Sequence, residues 1–351
     1  MFLLIDPYII LEKLALITIV VMGSLVIAMY TTFAERKVAG LLQDRPGPNR
    51  AGPFGLFQPL ADGMKLFFKE EIIPNFSSKI LFIMGPALAM ITAIMTSAVI
   101  PWGDKVHLFD RDISLQIADV NIGILYVFGV VSLGVYGIMI GSWASNNKYA
   151  LMGGLRAASQ IISYELAMGI ALIALLFCTG TLSLKEMVVQ QQIGGHFSWN
   201  VCKQPLGFLI FIICAFAECN RTPFDLAEAE SELIGGYHTE YSSMKLGFYL
   251  FAEYINMFIS SAVMATLYFG GYDMPFFNEA AHADWGNWLA LIGIAAFMTK
   301  IIIFIFIFMW VRWTIPRFRY DQLMHLGWRI LIPLALFNML ATGAAILAFA
   351  K

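Results

Sequence analysis

Eight long apolar runs, near residues 11–34, 78–101, 118–143, 159–180, 205–219, 244–270, 289–312 and 328–349, constrain this chain more than any other feature. Crossing a bilayer core takes about 20 apolar residues in a helix. Backbone groups inside lipid must also satisfy their own hydrogen bonds, so each run reads as a spanning helix. Composition agrees, with 59% hydrophobic against 13% charged residues, where a soluble domain carries roughly 25% charged. The fifth run is the weakest, because a charged segment begins at Glu218. Seven of the eight tryptophans (Trp102, Trp143, Trp285, Trp288, Trp310, Trp313 and Trp328) fall at or just beyond a run's end, the layer an amphipathic indole prefers. The expected fold is an all-α integral membrane protein, a single transmembrane domain over residues 1–351 with a bundle of eight transmembrane helices.

Basic residues set an orientation. Segments 35–77, 144–158, 218–243 and 312–327 hold 6, 2, 1 and 3 Lys plus Arg, while 102–117, 181–204 and 271–288 hold 2, 2 and 0. Lys and Arg accumulate on the cytoplasmic side, so the first set reads as cytoplasmic and both termini as outward. Residues Met1–Ile10 carry no Lys or Arg and lead into a run too long for a cleavable signal, so the first helix is expected to be retained. A net charge of -2 excludes a globally basic nucleic-acid binder. Cys178, Cys202, Cys214 and Cys219 lack Cys-x-x-Cys spacing and read as small apolar side chains. Dinucleotide, Walker and His-Glu-x-x-His motifs are missing, and the five histidines are scattered, so no metal site is expected.

Polar groups that a lipid-filling bundle would not carry point to function. Glu35-Arg36-Lys37 ends the first run, and the loop Gly40–Gly55, rich in Gly and Pro, projects Arg45 and Arg50. After it Leu56, Phe57, Leu60, Met64, Phe67 and Phe68 recur at helical spacing with Asp62, Lys65 and Lys69 opposite. This predicts an amphipathic helix on the cytoplasmic membrane surface within 35–77. Glu165 sits inside an apolar run, where a carboxylate is costly unless paired or hydrated. Segment 218–253 is the strongest signal, with Glu218, Asp225, Glu228, Glu230, Glu232, Glu240 and Glu253 against only Arg221 and Lys245. A helix over 224–234 would put Asp225, Glu228 and Glu232 on one side. Crowded carboxylates raise one another's pKa toward neutrality, which suits passing protons more than docking a basic partner. Lys300, at mid-run, is expected to face the bundle and meet an acid, Glu253 or Glu165. Arg312, Arg317 and Arg319 fulfil the orientation rule and by themselves predict no ligand.

Four stretches in order, Ala34–Lys37, Arg45–Pro53 with Gln58–Asp62, Ala217–Asp225 with Glu228, Glu230 and Glu232, and Pro316–Met324, closely resemble the H-subunit family of proton-pumping NADH–quinone oxidoreductase. This is respiratory complex I, whose mitochondrial counterpart is NADH dehydrogenase subunit 1. The similarity covers nearly the whole chain. It implies a subunit that anchors the peripheral arm, forms much of the quinone tunnel and couples quinone reduction to proton translocation. It implies Arg36, Asp62, Arg221, Phe224, Asp225 and Glu228 at the tunnel. For the proton path it implies Glu35, Glu165, Glu218, Glu228, Glu230 and Glu253, to which Lys300 is added from its own mid-membrane position.

The resemblance further implies a translocase subunit in a bacterial inner membrane, with no complete active site on this chain alone. Quinone, ubiquinone among them, would be substrate, and FMN and iron–sulfur clusters would sit on partner subunits. Partners would be the quinone-site subunits of the peripheral arm, neighbouring small membrane subunits and membrane lipid. Two alternatives share these features: the anchor subunit of a membrane-bound hydrogenase, and a stand-alone cation transporter. The transporter would show internal repeats, and none is apparent.

Overall fold

The computed structural model describes residues 7–108, 111–193, 198–274 and 286–349. Its elements, in order, are α1 (Pro7–Leu42), α2 (Gln58–Phe68), α3 (Lys79–Thr96), the hairpin β1 (Lys105–Leu108) and β2 (Arg111–Ser114), α4 (Gly123–Ala144) and α5 (Lys148–Thr179). They continue with α6 (Leu184–Ile193), α7 (Asn200–Lys203), α8 (Pro205–Glu218), α9 (Glu230–Leu233), α10 (Ser243–Tyr268), α11 (Asn287–Thr314), α12 (Tyr320–His325) and α13 (Ile332–Phe349). Seven helical stretches are long and apolar enough to cross a membrane, the last running from Tyr320 to Ala348. The fold is that of an all-α, multi-pass membrane protein. The fifth of the eight expected spans is the shorter apolar helix Pro205–Glu218. Its 14 residues reach only about 21 Å, less than a bilayer core.

Small residues decide where the helices meet. A Cβ on Gly85 of α3 would lie 2.7 Å from the Gly141 Cα of α4, and one on Gly141 would lie 1.9 Å from the Tyr249 hydroxyl of α10. The α3 and α4 backbones can approach this closely, and the Tyr249 hydroxyl can reach Gly141, only because those side chains are missing. The close packing brings two tyrosine hydroxyls onto backbone carbonyls: Tyr249 donates to Gly137 at 3.1 Å, and Tyr241 to Phe82 at 3.1 Å.

Three boundaries differ from the sequence-based expectation. Helix α1 continues through Glu35-Arg36-Lys37 to Leu42, because its charged residues find partners in the fold. Helix α5 begins at Lys148, so most of the loop expected over 144–158 is helical. Hydropathy hid that start behind Lys148 and Arg156, although Ala150, Gly153, Gly154, Ala157 and Ala158 are buried there. The acidic segment is not a helix over 224–234: only Glu230–Leu233 is helical. Positive φ at Asn220 (49°) and Ile234 (66°) bends the chain into a folded loop, which lies on α5. There a Cβ at Gly153 would meet the Tyr237 amide at 2.6 Å and the Ala227 carbonyl at 2.9 Å.

The surface helix forms as expected, with Leu60, Met64, Phe67 and Phe68 exposed along it. The helix is tied to the start of α10 by the Ser243 hydroxyl donating to Leu66 O at 3.0 Å, and the segment following it by a Lys245–Glu71 ion pair. The tryptophans divide. Trp143, Trp288 and Trp310 are exposed at helix ends, but Trp102 is buried, stacked on Phe258 at 5.6 Å. Trp285 lies outside the described residues.

Candidate functional site

The acid loop, residues 219–242, sits where α1, α5, α10 and α11 converge. Asp225 is buried, with Arg317 Nη2 at 2.7 Å. Burial, then the charge of Glu228, pushes its carboxyl up to about 7 against the opposing pull of Arg317, Arg312 and Arg221. Phe224 is buried beneath it, edge-on to Tyr164 at 5.3 Å. Glu228 Oε1 lies 3.6 Å from His238 Nδ1. Glu232 and Glu240 are held at the rim, by Arg156 at 2.5 Å and by Asn147 at 2.6 Å. The side chain of Glu230 lies outside the described residues.

Below the loop Glu35, buried in α1, is held between two guanidiniums: Arg312 of α11, and Arg221 at 3.4 Å. The Tyr254 hydroxyl donates to the same carboxylate at 2.9 Å, and its ring underlies Arg221 at 4.1 Å. Glu253 of α10 is electrostatically linked to Arg221, Glu228 and Asp225. The Tyr237 hydroxyl donates to Glu253 Oε1 at 2.9 Å. Burial, followed by the charges of Glu253 and Glu228, raises the Tyr237 pKa, so its proton stays on the bond. Several buried atoms here have no hydrogen-bond partner within the described chain: Arg221 Nε and Nη2, Asp225 Oδ1, Glu228 Oε1 and His238 Nδ1. Such clustering is rare where a fold is closed around its own polar groups.

Two adjoining cavities lie deeper. One, of about 40 Å³, is lined by Glu218, Glu253, Asn220, Tyr237, Tyr249 and Asn256 among others. The other, of about 30 Å³, shares Val131, Glu218, Cys219 and Asn256 with it and extends toward Ile259 and Val263. Both are lined largely by apolar side chains, with Glu218 and Asn256 among the polar groups they share. Glu165 of α5 bonds to Ser132 of α4 and is close enough to Glu218 for their charges to interact.

A separate open groove of about 640 Å³ runs between α1 and the Gly/Pro loop, lined by Arg36, Arg45, Arg50, Asn49 and Gln58 with neighbouring backbone. Arg36 Nη1 lies 2.6 Å from Asp62 Oδ2, and Gln58 holds the other oxygen of Asp62 at 3.1 Å. The fold thus places the six residues implied for the tunnel in two groups. Arg36 and Asp62 are at the groove, while Arg221, Phe224, Asp225 and Glu228 are in the acid loop and line neither the groove nor the two cavities.

Lys300 departs from expectation. In place of Glu253 or Glu165 it donates to the carbonyls of Phe269 at 2.7 Å, Gly271 at 2.9 Å and Asp273 at 2.6 Å, and lies over the Trp199 ring at 4.8 Å. The turn after α10 frees those carbonyls from helical bonding, and they solvate the ammonium far from the acid loop. Sequence reasoning also missed Tyr237, Tyr254, Asn256 and His238, whose roles depend on folded contacts. Arg312 and Arg317, attributed to orientation alone, are the cations that hold Glu35 and Asp225. Their reach across the segment could have been sought in the surplus of acids over bases within 218–253. Among the described residues no group of three or more His, Cys, Asp or Glu could hold a metal ion.

A family model described as NADH dehydrogenase matches residues 14–343. The chain is 64% identical over 339 residues to an NADH-quinone oxidoreductase H-subunit of Cytophaga hutchinsonii, covering 97% of this chain and 98% of that one. The corresponding H-subunit of Flavobacterium psychrophilum is 64% identical over 344 residues, 98% of this chain and 99% of that one. That of Leptospira biflexa is 49% identical over 318 residues, 88% and 87% of the two chains.

Proposed function

The chain belongs to the NADH dehydrogenase family, and from that premise we propose that it is the membrane subunit of an NADH–quinone oxidoreductase that links quinone reduction to proton movement. In this reading the Arg36–Asp62 groove admits a quinone from the bilayer, beside the exposed apolar face of α2. The quinone headgroup travels toward the acid loop, and electrons reach it from a partner subunit of the peripheral arm, where the flavin and iron–sulfur centres belong. We place the chain in a bacterial inner membrane with both termini outside. Support comes from the bias of basic residues toward the segments at the acid-loop end.

The chemistry follows from charge. Reducing a quinone to a quinol takes up two electrons and two protons, so the headgroup transiently draws protons from its surroundings. One pKa unit corresponds to about 1.4 kcal/mol, so a negative charge arriving near Asp225 and Glu228 alters their proton affinity on a scale that the neighbouring acids feel. Asp225, Glu228 and Glu253 are mutually coupled. Glu253 and Glu218 line one cavity, and Glu165 adjoins Glu218. Glu35 stands differently, fixed between Arg221 and Arg312, and serves to hold Arg221 in place. Lys300 donates to a turn at the opposite end of α10.

The observation that carries the reading is the cavity holding both Glu218 and Glu253 directly under the acid loop. Glu228→Gln keeps the side chain's size and removes its charge and titration. In the assembled complex reconstituted in vesicles, proton translocation per NADH oxidised should fall. Undiminished translocation at normal electron transfer would remove Glu228 from the series.

A further inference from the structure

The imidazole nearest the acid series is not accounted for by the reading above. His238 closes a short helical turn, Gly236–His238, on the loop. Its Nδ1 faces Glu228 Oε1 across 3.6 Å, and both atoms are buried without a hydrogen-bond partner within the described chain. That gap exceeds a direct hydrogen bond of roughly 2.7–3.2 Å, so a small movement or one bridging water would join them. The two side chains retain 22% and 20% exposure, which puts this pair, unlike the buried Asp225, within reach of the surface.

The other charged groups around the turn are engaged. Arg156 of α5 holds Glu232, Asn147 holds Glu240, and Arg317 holds Asp225. From α10, Glu253 accepts from Tyr237, whose ring meets the imidazole edge-on at 5.1 Å. Glu228 and His238 are therefore left to each other. Adjacent residues on one turn also reach two successive acids: His238 faces Glu228, and Tyr237 bonds to Glu253.

We infer that His238 is the proton-exchange partner of Glu228, the station at which protons from the surface enter the carboxylate series. This rests on the function proposed above. In the step the imidazolium Nδ1–H bond breaks and a Glu228 O–H bond forms, leaving a neutral imidazole and a neutral carboxylic acid. A proton from water then restores the imidazolium. Imidazole suits the position because it is stable with or without a proton on Nδ1, so it can give one up and regain it there.

The test uses His238→Gln in the assembled complex in vesicles, with assembly scored by co-purification of partner subunits. Coupled turnover should fall about tenfold, less than the ~10²–10⁴ of a general acid–base group in chemistry, because water can partly substitute. The pH profile of turnover should change shape relative to the parent, and added imidazole should restore part of the rate. A loss that is equal at every pH and insensitive to imidazole would show a purely structural role and overturn the inference. So would an unchanged rate and pH profile in His238→Gln when Glu228→Gln abolishes translocation, and in that case the proposed function would stand. If neither variant alters translocation, the proposed function itself fails.

Discussion

Replacing Asp225 tests the electrostatics of the acid loop most sharply. Its carboxyl is raised from 3.8 to about 7, chiefly by burial and then by Glu228, with Arg317 only partly opposing. A shift of about three units corresponds to about 4 kcal/mol favouring the protonated form in the folded chain. The sign follows from linkage: the folded pKa is raised, so the contribution is fully present below about 3.8 and is lost as pH rises through about 7. Infrared spectroscopy of the purified complex should show a protonated carboxylic carbonyl band at pH 5.5 that fades through neutrality and is missing in Asp225→Asn. Thermal stability should rise more steeply on acidification from pH 8 to pH 5 in the parent than in that variant. Arg317→Met removes the nearest opposing cation, 2.7 Å away, and should hold the band to still higher pH. A band unaffected by Asp225→Asn, or one shifted to lower pH by Arg317→Met, would refute the reasoning.

Two further variants probe the frame around the site. Arg221→Met leaves the buried Glu35 with Arg312 as its one remaining cation; breaking a buried pair costs about 3–5 kcal/mol, so the melting temperature of the complex should drop, whereas an unchanged value would show the site to be solvated. Lys300→Met strips three carbonyls of their donor at about 1–3 kcal/mol each if they stay buried and unpaired; hydrogen exchange should quicken in residues 266–273 while the acid loop keeps its protection, and equal quickening at both would contradict their separation.

Much of the fold was legible because bilayer crossing imposes a period and a length that any sequence must display. Helices α3, α10 and α11 lie close to their apolar runs. The failures came where tertiary contacts compensate for polarity. The first turns of α5 carry Lys148 and Arg156, yet the small residues beneath them pack the acid loop, and no hydropathy window weighs that exchange. The acids themselves stood out by number, but spacing suggested a helix over 224–234, where only Glu230–Leu233 is helical and Ile234 takes a positive φ that ends it. Pairing across more than ninety positions, as between Asp225 and Arg317, has no local signature. Lys300 was rightly expected to face inward, but a turn of free carbonyls can receive an ammonium as well as a carboxylate can, and only the folded chain reveals that turn.

In the function proposed, Glu218 and Glu253 share one cavity and carry protons between the acid loop and the rest of the membrane arm. The most direct measurement is the ratio of protons translocated to electrons transferred in vesicles holding the complex with Glu218→Gln, Glu253→Gln or both. The account predicts a lowered ratio in each single variant, with the double variant no worse than the more severe single one, since both interrupt one series. A full ratio in the double variant would contradict it.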